Sequence, residues 1–347
     1  MKNLPMLRAI ELAHQAQGTT SPNPPVGAVV VKDGALLGEG LTMPPGGNHA
    51  EIGALNQAGN GSQGAELYTT LEPCCIQGRT PPCTGSIIAA GIHRVHIGTI
   101  DPNPLVSGNG AAELKAAGIQ VELSQGEVAD TAGQLYEAFG KHINTGTPFV
   151  IAKFAMSLDG KIATRTGDSK WVTGSTARGL VQDIRKGTDA VMVGVNTVLA
   201  DDPQLTARDP GGSPLPHQPL RVVLDTNCRT PSNARLLNEP GRTVIAISSR
   251  APADEILRLE SAGAQIALCS TGMDGRIDLL ELLAKLGGLG VVNLLVEGGG
   301  TVLGTLFDAH QVDKVMAFIA PLIIGGQQAA SPVEGLGTSA MSQAWHL

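Results

Sequence analysis

Two α/β domains in tandem are what the sequence predicts. Short apolar runs of strand length alternate with helical stretches along the whole chain. At 347 residues it is long enough for two cores of ordinary size. Apolar residues make up 42% against 16% charged, which suits buried strands and excludes a disordered or heavily charged chain.

The first element is a helix, since Met6, Leu7, Ile10, Leu12 and Ala13 share one apolar face until the loop at 18–25 breaks the pattern. Residues 26–31 read as a buried strand, Lys32-Asp33-Gly34 as a turn and 36–40 as the returning strand of a hairpin. After a loop at 42–48, a helix is expected over 49–57 and a strand over 66–70. A loop at 73–83 leads into a helix at 84–90, followed by a strand at 95–98, a helix at 111–117 and a strand at 119–123. This alternation argues for a three-layer sandwich. A helical stretch at 128–144 ends at Gly146-Thr147-Pro148, which places a boundary between domains 1–145 and 146–347.

In the second domain, strands are expected at 149–155, 190–193, 220–224, 243–247, 265–268 and 291–296. Helices are expected at 175–186, 253–262 and 279–286. The Gly- and Pro-rich stretch 209–219 reads as a surface loop, and no internal repeat relates the halves.

A formal charge of −7 argues against a broad electrostatic grip on nucleic acid, so an anionic ligand must meet a local basic pocket. No apolar run reaches the roughly 20 residues of a spanning helix, and the N-terminus lacks the pattern of a cleaved signal. The expectation is a cytoplasmic protein with no membrane partner. Homo-oligomerisation is compatible with the sequence and not fixed by it.

Three of the five cysteines, Cys74, Cys75 and Cys83, fall within ten positions, which favours a metal site over disulfides. His49-Ala50-Glu51 lies at one expected helix start and Cys83 at another. A neutral imidazole and two thiolates suit tetrahedral zinc, and three protein ligands leave a fourth position for water, the arrangement of a catalytic centre. His49, Cys74 and Cys83 are therefore the candidate Zn²⁺ ligands. Glu51, two residues past the first ligand, is the candidate proton carrier. His-x-Glu followed by a Pro-Cys pair is the signature of zinc deaminases, although here eight residues separate the cysteines. A closed structural zinc site with Cys75 as fourth ligand is the alternative. His93 and His96 are given no role.

The order Ser21-Pro22-Asn23-Pro24-Pro25-Val26-Gly27, His49-Ala50-Glu51, Thr70-Leu71-Glu72-Pro73-Cys74 and Gly78-Arg79-Thr80-Pro81-Pro82-Cys83 resembles the bifunctional riboflavin-biosynthesis deaminase and reductase family. Met156-Ser157-Leu158-Asp159-Gly160-Lys161, Ser169-Lys170-Trp171-Val172-Thr173, the run from Val193-Gly194-Val195-Asn196-Thr197 to Asp201-Asp202-Pro203, and Val296-Glu297-Gly298-Gly299-Gly300-Thr301 extend the resemblance into the reductase half. The fold class it implies is a three-layer cytidine-deaminase-like domain followed by an α/β domain similar to dihydrofolate reductase.

The resemblance also implies site residues. NADPH contacts fall on Ala155, Trp171, Thr197, Asp201, Gly299, Gly300 and Thr301. Contacts with a phosphorylated pyrimidine substrate fall on Asn23 and Arg79 in the first domain and on Ser169, Arg185, Leu205, Arg208 and Glu297 in the second, with Lys153 near the sugar. Arg185 and Arg208 would fork a phosphate, and Glu297 would accept from sugar hydroxyls. By itself the Gly cluster is a weak signal, since no Gly-x-Gly-x-x-Gly with a downstream acid is present. The family pattern often has His where this chain has Thr42 and Ile76, and it continues into a further strand beyond Trp345-His346-Leu347.

The function expected is deamination at C2 of a diaminopyrimidinone ribosylamino phosphate, followed by NADPH-dependent reduction of its ribosyl group to ribityl. A nucleoside or nucleic-acid deaminase is the rival, disfavoured by 3% aromatic residues and an acidic balance. A zinc-stabilised binding module with a degenerate second domain is the third reading, against which Glu51 and the open ligand position argue.

Overall fold

The computed structural model describes residues 4–78 and 80–346. Arg79, expected at the substrate, lies outside the described residues. The chain divides into two compact units, Met1–Gly146 and Thr147–Leu347.

In the first unit the elements run α1 (Leu4–Ala16), β1 (Gly27–Lys32), β2 (Ala35–Leu41), α2 (Ala50–Ala58), β3 (Glu66–Leu71), α3 (Cys83–Ala89), β4 (Arg94–Thr99), α4 (Asn109–Ala116), β5 (Gln120–Leu123), α5 (Glu127–Gln134) and α6 (Glu137–Thr145). The sheet order is β2-β1-β3-β4-β5, with β1 antiparallel to both neighbours and β3, β4 and β5 parallel. Alternation along β1 sends Gly27 toward α1 and Ala28, with its ladder partner Gly40, toward α2. Gly40 is required there: a Cβ would stand 2.1 Å from the Ala50 carbonyl oxygen, so only glycine lets the start of α2 settle on the sheet.

The expected helix at 128–144 is two helices. It breaks at Leu135 and Tyr136, both buried, and the Tyr136 hydroxyl lies 2.5 Å from Thr70 Oγ1 in the sheet. Burying both side chains and pairing the phenol requires the bend that a continuous helix forbids.

The second unit holds β6 (Phe149–Ser157), α7 (Ser175–Lys186), β7 (Ala190–Gly194), α8 (Val195–Asp201), β8 (Leu220–Leu224), α9 (Arg235–Asn238), β9 (Thr243–Ser248), α10 (Ala253–Ser261), β10 (Gln265–Cys269), α11 (Leu279–Gly288), β11 (Asn293–Val296), α12 (Gly300–Asp308) and β12 (Lys314–Ala320). All seven strands are parallel, in the order β10-β9-β8-β7-β11-β6-β12. Such a sheet is buried on both faces, and the alternation divides its apolar side chains into two cores. Val150, Ala152, Met192 and Val222 pack with Leu282, Leu286 and Leu303 on one face. Ile151, Val191, Val193, Val223 and Ile245 pack with Val198, Leu236 and Leu259 on the other. The chain steps from β6 over to β7, runs outward to β10 and returns to insert β11 between them. The order therefore reverses around β11, and open α/β sheets take ligands at the carboxyl ends of strands at such a point.

Strand β12 and helices α8 and α9 were not expected from the sequence. The short alternation in β12, with Ala317 and Ile319 exposed, gives little of the continuous apolar signal that marks the inner strands.

Candidate functional site

In the first unit, β2 and α2 bring His49 to the N-cap of α2, and the loop after β3 brings Cys74 beside Cys83, the first residue of α3. The ligand atoms of these three residues lie within 4.8 Å of one another. His49 Nδ1 stands 3.3 Å from Cys83 Sγ and 3.6 Å from Cys74 Sγ. Zinc bond lengths and a tetrahedral angle place a nitrogen and a sulfur ligand about 3.6 Å apart, so the donor set fits that ion. The other imidazole nitrogen, Nε2, is 3.2 Å from Thr80 Oγ1. With Nε2–H donating to that hydroxyl, Nδ1 keeps its lone pair for a metal.

The electrostatics suit the same purpose. Cys74 is held down at about 4 by its hydrogen bond with Cys83 and its contact with His49, against the effect of burial. Cys83, pressed by the Cys74 negative charge and by burial, is pushed up. Without an ion the two sulfurs share one proton, and a divalent cation relieves that repulsion. Glu51, 3% exposed, is pushed up to about 7, first by burial and then by Cys74. Its Oε2 is buried with no hydrogen-bond partner among the described residues. An orphaned carboxylate oxygen beside the ligand cluster fits a group that arrives with water and substrate.

Cys75 is half-buried and outside the converging ligand group. Asn23 is half-buried between α1 and β1, where its N–H closes a turn on the Thr20 carbonyl. Thr42 is buried, its Oγ1 accepting the Val26 N–H at 3.0 Å, while Ile76 is half-buried in the loop before Arg79. Glu72, which the motif contained without a stated role, is buried and accepts the N–H groups of Asp101, Gly108 and Ala111 at 3.2, 2.8 and 2.9 Å. It anchors the chain one residue before Pro73-Cys74 to the start of α4.

In the second unit a cavity of about 1420 Å³ opens at the carboxyl ends of β6, β7 and β11. Every second-domain residue singled out in the sequence lines it: Lys153, Ala155, Ser169, Trp171, Arg185, Thr197, Asp201, Leu205, Arg208, Glu297, Gly299, Gly300 and Thr301. Gly299, at φ 84°, is the N-cap of α12 and turns the chain from β11 into the helix, a conformation that favours glycine. A Cβ on Gly300 would stand 2.7 Å from the Ser331 carbonyl oxygen. The Thr301 hydroxyl donates to Glu334 Oε2 at 2.8 Å. Trp171 is 70% exposed, with the Arg178 guanidinium 4.5 Å from its ring centre, so it is a rim residue and not core. Ser169 Oγ donates to Asp201 Oδ1 at 3.3 Å.

The fork of Arg185 is turned on Glu297: Nε to Oε1 at 2.5 Å and Nη2 to Oε2 at 2.9 Å, with Nη1 donating to the Thr206 carbonyl at 3.0 Å. Burial pushes Glu297 up, but Arg185 and Lys153, whose Nζ is 3.9 Å away, outweigh it and hold the carboxyl below its usual range. Burial lowers Lys153, which Glu297 only partly offsets. Arg208 donates from Nη1 to Gln204 at 2.9 Å, and its buried Nε has no partner among the described residues. Of the two arginines expected to fork a phosphate, Arg208 is thus the one with an unused donor edge.

These features agree with comparison to known proteins. Residues 2–99 match the cytidine and deoxycytidylate deaminase zinc-binding region, and residues 148–347 match the RibD C-terminal domain. The riboflavin biosynthesis protein RibD of Actinobacillus pleuropneumoniae is 43% identical over 98% of this chain and 89% of that protein. Its counterpart in Bacillus amyloliquefaciens is 41% identical over 100% and 92%. Among solved structures, Acinetobacter baumannii RibD superposes with a TM-score of 0.84 at 38% identity, covering 99% of this chain and 92% of that one. The diaminohydroxyphosphoribosylaminopyrimidine deaminase/5-amino-6-(5-phosphoribosylamino)uracil reductase of Thermotoga maritima gives 0.82 at 38%, covering 97% and 91%. A metal-ligating cluster beside a buried acid in one unit, a cleft at the strand-order reversal of the other and full-length likeness to these proteins lead to one conclusion: the chain belongs to the RibD family, bifunctional deaminase/reductases of riboflavin biosynthesis.

Proposed function

We propose that the first unit exchanges the ring amine of diaminohydroxyphosphoribosylaminopyrimidine for oxygen, consuming water and releasing ammonia. The second unit then reduces the resulting 5-amino-6-(5-phosphoribosylamino)uracil from ribosyl to ribityl. The observation that carries the first step is the buried Oε2 of Glu51, unpartnered among the described residues, beside His49, Cys74 and Cys83.

Zinc held by His49, Cys74 and Cys83 supplies Lewis acidity that makes a water acidic near neutral pH. Glu51, which burial keeps basic enough to take a proton near neutrality, accepts it from the attacking water and delivers it to the departing amine. Thr80 holds the His49 ring in the tautomer that leaves Nδ1 free. Asn23 and Arg79 are assigned to the substrate on the family resemblance.

In the second unit NADPH supplies the hydride, and the chain supplies alignment. Ala155, Thr197, Asp201, Trp171 and the turn Gly299-Gly300-Thr301 are assigned to the cofactor, which enters at the reversal of strand order. Ser169, Leu205, Lys153 and Glu297 are assigned to the sugar and ring of the substrate. Arg208, with its unused Nε, is assigned to the phosphate. Arg185 fixes the Glu297 carboxylate and offers the substrate only the N–H groups that pair leaves over.

The same reading makes the protein a cytoplasmic enzyme of a small-molecule substrate. Among the described residues no helix is long and apolar enough to cross a membrane. Incubating the protein with the diaminopyrimidine phosphate, with and without NADPH, and identifying products by mass tests both steps. The deaminated product is expected without NADPH and the ribityl product only with it.

A further inference from the structure

The segment after β12 returns over α12 and lays an acid on the turn assigned to the dinucleotide. Residues 331–337 follow the helix: the Glu334 N–H donates to the Gly300 carbonyl at 3.1 Å, and the Leu336 and Gly337 N–H groups donate to the Asp308 carboxylate at 2.8 and 3.1 Å. Two glycines of α12 make room for this strap. A Cβ on Gly300 would stand 2.9 Å from Glu334 Cγ and Cδ, and one on Gly304 would strike the Glu334 carbonyl oxygen. Backbone contacts therefore seat the strap, and the Glu334 side chain reaches the cavity wall. It is exposed, and its Oε2 accepts the Thr301 hydroxyl at 2.8 Å in the first turn of α12. No cationic side chain pairs with Glu334 among the described residues.

We propose that Glu334 competes with the dinucleotide pyrophosphate for the first turn of α12 and so sets a ceiling on the reductase's affinity for its cofactor; this rests on the reading that the turn Gly299-Gly300-Thr301 takes the pyrophosphate. The competition is for one proton. A threonine hydroxyl has a single hydrogen to donate, so Thr301 cannot serve Glu334 and a phosphate oxygen together. Both acceptors are anions drawn to the same helix end, and side by side they repel each other. The other acids beside the substrate and cofactor residues are committed elsewhere: Glu297 is held by Arg185, and Asp201 receives the Ser169 hydroxyl. Glu334 has a flexible, exposed side chain, so it can swing into water while the strap keeps its backbone bonds to Gly300 and Asp308. Binding the dinucleotide then means giving up the Thr301–Glu334 hydrogen bond, and release restores it. In an enzyme that must shed its oxidised dinucleotide at every turnover, such a competitor speeds departure.

The test compares the full-length protein with its Glu334→Gln, Glu334→Ala and Asp254→Asn forms. Asp254 is an exposed acid of α10, whose Leu259 belongs to the opposite core face, so its variant controls for net charge. Binding of NADPH is measured by calorimetry at low and high salt, and ADP and adenosine are measured as competitors of NADPH. Both Glu334 variants are expected to bind NADPH and ADP more tightly than wild type by a factor of roughly three to ten at low salt and by less at high salt, as for a solvent-exposed charge. Adenosine, which has no pyrophosphate, should bind all forms alike, and Asp254→Asn should match wild type throughout. Unchanged or weaker NADPH binding in both Glu334 variants overturns the proposal while leaving the dinucleotide reading in place. Equal tightening of ADP and adenosine also overturns it, since the effect would then lie in the shape of the cleft. A wild type that binds neither NADPH nor ADP overturns the dinucleotide reading, and the proposal with it.

Discussion

Arg185 and Glu297 form a buried, two-pronged ion pair at the floor of the reductase cleft, with N···O distances of 2.5 and 2.9 Å. Their side chains are 10% and 6% exposed. A pair so enclosed is costly to break from one side, because without Arg185 the buried Glu297 carboxylate has only Lys153, 3.9 Å away, to balance its charge.

Arg185→Ala is therefore expected to act on folding as well as on substrate. It should destabilise the second unit by about 3–5 kcal/mol and abolish most reduction, while deamination persists. Denaturation followed together with both activities checks this. Unchanged stability with only a higher KM for the phosphorylated substrate would show that the guanidinium serves the substrate directly, as the sequence led one to expect.

Glu51→Gln is expected to keep its zinc, since the carboxylate is outside the converging ligand atoms, and to lose deamination by a factor on the order of 100 or more. Reduction of supplied deaminated substrate should continue. Metal analysis of the purified variant is decisive, for a zinc-free protein would make Glu51 a ligand.

The metal site was largely legible because ligand chemistry is written in short spacings: His49 with Glu51, Cys74 with Cys83, each beside a helix start. The inner strands of the second sheet were legible for a related reason, as burial on both faces leaves continuous apolar runs such as Ala190–Gly194. Relations between distant residues were not. Nothing local says that Arg185 will meet a carboxylate 112 positions away, or that the Thr42 hydroxyl will serve a backbone N–H in place of a ligand. Thr80 stood inside a quoted motif, yet its hydroxyl acquires meaning only when the loop folds over His49.

Glu72 accepts three backbone N–H groups from a buried position, and Glu72→Gln turns one acceptor oxygen into a donor facing donors. A loss of about 1–3 kcal/mol is expected for each N–H left unsatisfied. The loop carrying Cys74 should loosen with it, so zinc should pass to a competing chelator at lower chelator concentration. An unaltered competition curve would mean that Cys83 and His49 alone hold the loop in shape.

Thr42 and Ile76, the two positions where the sequence resemblance led one to expect His, separate in the structure. Thr42 is buried and supports the Val26 N–H, so Thr42→Val should cost about 1–3 kcal/mol and Thr42→His should overpack the site. Ile76 is half-buried in the loop beside the metal cluster and can be changed with less disturbance. Ile76→His is expected to lower the deaminase KM for the phosphorylated substrate more than for its dephosphorylated form. An equal response of the two forms would remove this position from phosphate recognition.

Asp159 gives a test of pH dependence away from both sites' chemistry. Its Oδ1 accepts from the Ser157 hydroxyl at 2.6 Å and the Ile324 N–H at 3.0 Å, and its Oδ2 accepts the Gly325 N–H at 2.7 Å, which ties the turn after β6 to the segment after β12. The Ser157 hydrogen bond, followed by the two backbone donors, holds the carboxyl down at about 2 against an ordinary value of 3.8. Protonation is thus easier in the unfolded chain than in the folded one. The stabilisation is fully present above the unfolded value and is lost as pH falls from about 4 toward 2. Asp159→Asn lacks the titrating group, so the gap in urea midpoint between wild type and variant should be constant from pH 7 to about 5 and shrink below pH 4. A gap that stays constant down to pH 2.5 would show that the Asp159 charge contributes nothing and that only the shape of the side chain matters at this turn.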